Sequence, residues 1–215
     1  MSPPGSVRLL RFATRSTDGE RPASRAEPTD AELAERARDG DPRAAPLVWD
    51  RYAPMVRGVL HRTLGPGHDV DDLLQDVFIG FFRNVGSLRD TGSLRPYLFG
   101  IALRTARTAL RRRRVRRWLR LSDDGALPDV ASPDGDPRSR EAVRRLYAVL
   151  DELPDRERLA FVLRHAEGHE LTETAALLGV SLATIKRVLA RAEAHVEARA
   201  RRDDVLRDYA EGTHE

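Results

Sequence analysis

Apolar residues recur along most of this chain at spacings of three and four, the period that lines one face of an α-helix. The first periodic stretch starts near Asp30, read as an N-cap, and continues through Leu33, Ala34 and Ala37. Gly40-Asp41-Pro42 ends it and opens another, from Arg43 to Leu64. There Leu47, Val48, Tyr52, Met55, Val56, Val59 and Leu60 keep helical register, while Pro46 and Pro54 predict interruptions or bends. Beyond the breaker Gly65-Pro66-Gly67, a third helix runs from Asp69 to Phe82 and Val85. Its predicted apolar stripe is Leu73, Leu74, Val77, Phe78, Phe81 and Phe82. Gly86 to Ser93 is a loop, and a further helix runs from about Leu94 or Arg95 to about Leu119.

The pattern then stops. Ser122 to Pro137 contains Asp123, Asp124, Asp129, Asp134 and Asp136, no basic residue and no apolar period, so it reads as a flexible acidic linker. Periodicity resumes from about Arg138 to Arg202, with breaks at Leu153-Pro154, Gly168 and Gly179-Val180-Ser181. The predicted organisation is therefore all-α: a disordered leader over 1–28, a helical domain over 29–120, a linker over 121–138, a second helical domain over 139–202, and a polar, frayed tail over 203–215.

Composition sharpens this picture. Hydrophobic residues make up 40% of the chain and aromatics only 6%, so the cores must be built from Leu, Val and Ala, which suits small helical bundles. Charged residues reach 33% with a net charge of only +3, so the placement of charge matters more than its sum. Lys186 is the sole lysine; the arginine-rich usage also fits a GC-rich genome. The absence of cysteine excludes disulfides, thiolate metal sites and cysteine nucleophiles. No apolar run approaches the roughly 18 residues that span a bilayer, and the start of the chain has no signal-peptide core, so no membrane insertion and a cytoplasmic location are expected.

The strongest local signal lies between Leu171 and Ala192. A helix-turn-helix needs a small residue where its helices touch, and Ala175 fits; Gly179 then supplies the positive φ of the tight turn. Val180 seals the corner, Ser181 caps the second helix, and Ile185 and Val188 face the core with Leu178. The outward face offers Ser181, Leu182, Ala183, Thr184, Lys186, Arg187 and Arg191, residue types that enter a major groove and contact base edges and phosphates. An ordinary helical hairpin with a solvated basic face is the bland alternative.

Two further helices carry charge of opposite sign. Asp71, Asp72, Gln75 and Asp76 present carboxylates and an amide to a basic protein surface, or merely stabilise a helix N-terminus. From Arg104 to Arg120 there is no acid. Such a run disfavours an isolated helix unless a polyanion neutralises it, which suits phosphate binding. A solvated, Arg-rich helix end is the alternative, with Val115, Trp118 and Leu119 as an apolar edge that packs part of the run.

Across roughly residues 30 to 202 the order of segments resembles the extracytoplasmic-function (ECF) sigma factors of bacterial RNA polymerase. Asp71-Asp72-Leu73-Leu74-Gln75-Asp76-Val77-Phe78 is similar to that family's polymerase-docking helix. Ser93-Leu94-Arg95-Pro96-Tyr97-Leu98-Phe99-Gly100-Ile101-Ala102 is similar to the start of its promoter-melting helix, and Glu152-Leu153-Pro154-Asp155-Arg156-Glu157-Arg158 to the opening of its second DNA-binding domain. The resemblance implies a region 2-like bundle and a region 4-like helix-turn-helix. Asp71, Asp72, Gln75 and Asp76 would meet the core polymerase, whose clamp and flap are the expected docking points. Arg95, Tyr97, Arg104, Arg107, Arg111 and Arg112 would engage and melt the minus-ten element, with an unstacked base received by the loop from Gly86 to Ser93. Tyr97 and Phe99 are assigned either to stacking or to core packing. The helix-turn-helix would read the minus-thirty-five element, and an anti-sigma factor is an implied partner. The chain departs from the family at Leu103, Arg104 and Thr108, which affects minus-ten preference. In the family an equivalent linker threads the polymerase cleft, where an acidic strand can mimic RNA or serve as a plain tether.

Other chemistry is thin. His165 and His169 have the i, i+4 spacing of a zinc pair, yet His-Glu-x-x-His is absent and no third ligand is evident. No phosphate loop, nucleophile elbow or catalytic carboxylate pair occurs, so neither a cofactor nor catalysis is expected. A stand-alone helix-turn-helix regulator and a protein that only titrates polymerase remain as competing readings.

Overall fold

The computed structural model describes residues 28–66, 69–88, 94–119 and 137–212, and all regular structure among them is helical. Residues 1–27 of the expected leader, most of the acidic linker, and Arg89 to Ser93 of the loop lie outside the described residues. The chain divides into two compact units, one of Ser16–His61 with Asp69–Ala109, the other including Arg62–His68 with Leu110–Glu215.

In the first unit, α1 spans Asp30–Arg38, α2 Ala44–Leu64 (its last turn belonging to the second unit), and α3 Val70–Asn84, followed by a 3-10 turn at Val85–Ser87; α4 starts at Leu94 and ends at Trp118. The cap of α1 is Thr29, one residue before the expected Asp30. Its hydroxyl accepts from the Glu32 N–H while the Glu32 carboxylate accepts from the Thr29 N–H, 2.7 Å away. Helix α2 runs unbroken through Pro54, so the interruption that its prolines allowed for does not occur. Pro46 sits in the first turn, where an N–H has no helical partner anyway. Pro54 is exposed, and the carbonyl it deprives of a donor belongs to Asp50, also exposed.

Helix α3 is capped by Asp69, whose side chain accepts from the Asp72 N–H. Val70, Leu74, Val77, Phe78 and Phe81 are buried, whereas Leu73 and Phe82 of the expected stripe are half-buried. The core is completed by Leu33, Val48, Val56 and Leu60 with Leu94, Leu98, Ala102 and Ala106 of α4, a ridge of fourth residues. Extending that ridge reaches Leu110 and then arginine. Val115 and Leu119 are 49% and 47% exposed, so the apolar edge expected to pack the basic run does not do so at these positions.

The second unit contains α5 (Pro137–Leu150), α6 (Asp155–His165), α7 (Leu171–Leu178), α8 (Leu182–Ala200) and α9 (Asp204–Gly212). One cluster joins α5, α6, α8 and α9 through Ala142, Leu146, Leu150, Phe161, Val162, Ala192, Val196 and Leu206. Helix α9 is a departure from the frayed tail expected beyond residue 202. Leu206 is fully buried, its N–H is held by Asp203, and Val205 and Tyr209 pack on the same cluster, so a short apolar face and a cap order an otherwise polar segment.

Arg158 is the largest fully buried side chain, 2% exposed. Its guanidinium donates to the carbonyls of Thr63 (2.8 Å) and Leu64 (2.6 Å), pairs with Asp151, and lies over the Tyr147 ring. Two end carbonyls of α2 are thus satisfied by a side chain from α6. Beside them, Arg62 forms a forked pair with Glu167 at 2.6 and 3.1 Å. Burial pushes the Tyr147 phenol up to about 12, and its hydroxyl donates to the Arg62 carbonyl.

Gly65 has φ +73, and a Cβ there would overlap the Tyr147 ring. Gly65→Ala therefore combines a left-handed backbone penalty with displacement of a buried aromatic, and is expected to cost about 2 kcal/mol or more. Chemical denaturation against the wild type measures this; a change under about 0.5 kcal/mol would contradict it.

Candidate nucleic-acid and partner interfaces

The turn between α7 and α8 is built as its sequence predicts. Gly179 adopts φ 64, ψ 40; its N–H is directed at the carbonyls of Ala175 and Ala176, and the Val180 N–H bonds to Ala175 at 3.0 Å. Ser181 caps α8 by accepting from the Thr184 N–H at 3.2 Å, and its hydroxyl meets that of Thr184 at 2.9 Å. Ala175, Ile185, Val188 and Leu189 are buried together with Ala160 of α6, and Leu171, Leu178 and Val180 pack against them. At the other end of α7, the Glu173 carboxylate accepts from the Glu170 N–H at 2.9 Å. This bond, helped by His169, holds its pKa below the usual carboxylate range.

That packing leaves one side of α8 to solvent. Ser181, Leu182, Ala183, Lys186, Arg187 and Arg191 are exposed and Thr184 is half-exposed. Leu182, at 41% exposure, is a large apolar side chain at the leading end of the helix. Arg191 is committed in part: its Nε bonds to Glu157 at 3.0 Å. Lys186 and Arg187 are therefore the cations best placed for a polyanion on this face.

On α4, Arg95, Arg104, Arg107, Arg111 and Arg112 are all exposed. Arg104, Arg107 and Arg111 succeed one another at spacings of three and four, so they share a face. Tyr97 is half-buried; its ring meets Phe81 edge-on at 6.1 Å and its hydroxyl donates to the Asn84 carbonyl at 3.3 Å. The departures from the family pattern divide by environment. Leu103 is 5% exposed and belongs to the core, Arg104 is on the surface, and the Thr108 hydroxyl is turned back onto the Arg104 carbonyl at 3.0 Å.

On α3, Asp71, Asp72, Gln75 and Asp76 are exposed as a group, with Asp71 paired to Arg57. Next to them lies an open groove of about 480 Å³ lined by Trp49, Gln75, Phe78, Ile79, Phe82 and Arg83. Ile79 is 46% exposed at this groove, and the Trp49 and Phe78 rings lie 4.6 Å apart. Gln75 thus joins an acidic strip to an apolar floor. Trp49 and Ile79 were missed by sequence reasoning, although Ile79 directly follows the stripe residues Val77 and Phe78, one position off the buried face.

The histidines spaced i, i+4 face separate carboxylates: His165 Nε2 lies 2.9 Å from Glu193 and His169 Nδ1 3.5 Å from Glu173. Among the described residues no group of three potential ligands gathers, and no helix is long and apolar enough to cross a membrane.

Residues 48–116 match the family model of sigma-70 region 2, and residues 143–196 that of sigma-70 region 4. The RNA polymerase sigma factor CarQ of Myxococcus xanthus is 37% identical over 148 residues, covering 68% of this chain and 83% of that one. The ECF RNA polymerase sigma-E factor of Haemophilus influenzae is 30% identical over 179 residues, covering 79% and 94%. Among solved structures, the sigma factor RpoE in complex with the anti-sigma factor NepR from Bartonella quintana shares the fold, with a TM-score of 0.54 at 23% identity over 72% of this chain and 95% of that one. With both regions present in order and relatives covered nearly end to end, the chain belongs to the ECF family of RNA polymerase sigma factors.

Proposed function

We propose that this protein binds core RNA polymerase through α3 and directs it to promoters, with α4 engaging and melting the minus-ten element and α8 reading the minus-thirty-five element. The observation that carries this reading is the pairing, on one chain, of a capped helix-turn-helix exposing Lys186 and Arg187 with an acidic and apolar groove exposing Gln75 and Ile79. A stand-alone DNA-binding protein has no need of the second surface. In this division residues 29–120 form the polymerase- and minus-ten-binding part and 139–202 the minus-thirty-five part, and the chemistry of RNA synthesis belongs to the polymerase. The site of action is the cytoplasm, where the template is.

An anti-sigma factor is the expected regulator. The fold match to RpoE held by NepR supports this, and an exposed apolar groove suits a partner that competes with polymerase. Run-off transcription with core polymerase on a randomised promoter pool tests the whole reading. Specific initiation that depends on the added protein is expected. Inhibition alone would indicate a titrating factor, and absence of core binding would leave a stand-alone regulator.

A further inference from the structure

Not all of the arginines in the basic run of α4 are available to a phosphate. Arg111, Arg112 and Arg116 are exposed, and Arg114, though exposed as well, is committed to acceptors of its own unit. Arg113 Nη2 instead lies 3.2 Å from Asp151 Oδ2, with the two side chains only 25% and 14% exposed. Arg114 Nη2 lies 2.9 Å from Asp155 Oδ1 and donates to the Leu153 carbonyl at 2.6 Å. Asp151 and Leu153 come from the turn between α5 and α6 and Asp155 from the start of α6, within the same compact unit. Asp151 is held in place independently, because its other oxygen accepts from the buried Arg158. Asp155 occupies the first turn of α6, where a carboxylate is favourable without any arginine.

A carboxylate and a phosphodiester present an arginine with the same kind of anionic, fork-accepting oxygens. Any DNA strand that engages the Nη2 groups of Arg113 or Arg114 therefore competes with these acids. We infer that Asp151 and Asp155 are built-in competitors for DNA phosphate, which occupy Arg113 and Arg114 and keep the free protein's affinity for non-specific DNA low. This rests on the proposed role of the α4 basic run in DNA binding. It adds that the run is partly self-neutralised, so promoter engagement is an exchange of carboxylate for phosphate rather than simple addition.

The test uses the full-length chain and a fluorescein-labelled duplex of arbitrary sequence, titrated by anisotropy from roughly 50 to 200 mM salt. Asp155→Asn keeps the shape and removes the charge at the partner that is not tied to Arg158. It is expected to tighten binding about fivefold, the worth of a surface ion pair, and to steepen the salt dependence by about one phosphate contact. In an Arg114→Ala background the same change should give no gain, which separates release of Arg114 from a general loss of negative charge. The inference is overturned if Asp155→Asn binds as the wild type does, or if its gain persists without Arg114. The double variant Arg111→Ala/Arg112→Ala tells the two levels apart. If it weakens binding while Asp155→Asn changes nothing, only the competition idea fails. If it too leaves binding unchanged, the basic run is not a DNA surface, and the inference falls with that reading.

Discussion

Arg158→Ala is expected to lower the stability of the helix-turn-helix unit by about 3–5 kcal/mol, the cost of breaking a buried, fully hydrogen-bonded charge pair. The guanidinium is 2% exposed and its donors go to Thr63 O, Leu64 O and Asp151. Burial disfavours its charge, and Asp151 opposes that effect, so the pair is held by mutual need rather than by solvent. Alanine would leave two helix-end carbonyls without a donor, a carboxylate short of a partner, and a void beside the Tyr147 ring. Arg158→Lys should recover less than half of the loss, because an ammonium cannot serve these acceptors as a planar fork does. Urea unfolding followed by far-ultraviolet circular dichroism measures both variants. A loss under about 1 kcal/mol for alanine would show that water replaces the lost donors.

Ile79→Asp is expected to weaken binding to core polymerase by about 30-fold or more while leaving the fold intact. Ile79 is 46% exposed on a groove floored by Trp49, Phe78 and Phe82, the arrangement of an interfacial anchor rather than of a core residue. Truncating or charging a central apolar anchor typically costs about 2 kcal/mol or more, whereas rim charges such as Asp71 chiefly alter association rate. The prediction is checked by a binding titration against labelled core enzyme, with thermal unfolding as the control. Equal affinity for Ile79→Asp and wild type would move the docking surface elsewhere.

The helices and the helix-turn-helix were legible because their signals are local. Ala175, Gly179, Ser181, Ile185 and Val188 each meet a requirement set by residues a few positions away, and periodicity alone separates Leu74 and Val77 from Asp72 and Gln75. What could not be read was set by distant partners. Nothing near Arg158 in the sequence announces that it will cap a helix ending almost a hundred residues earlier. Nor does the run around Arg113 and Arg114 foretell acids at 151 and 155. Pro54 misled because the rule that proline breaks helices assumes a carbonyl with no other recourse, whereas the exposed Asp50 lies on the outer face. The final helix was hidden by its brevity, since Val205, Leu206 and Tyr209 form only a short apolar face among charged residues.

The bonds from Arg158 to Thr63 and Leu64 also bear on how this protein can be cut into pieces. The unit that carries the helix-turn-helix borrows the residues at its buried arginine from a stretch encoded far upstream, before the acidic linker. A fragment trimmed to residues 137–212 would hold the whole exposed face of α8 yet keep a guanidinium from which two backbone acceptors had been deleted. The boundary drawn by sequence similarity, 143–196, and the boundary of the compact unit, which takes in Arg62 to Leu64, therefore do not coincide in this chain.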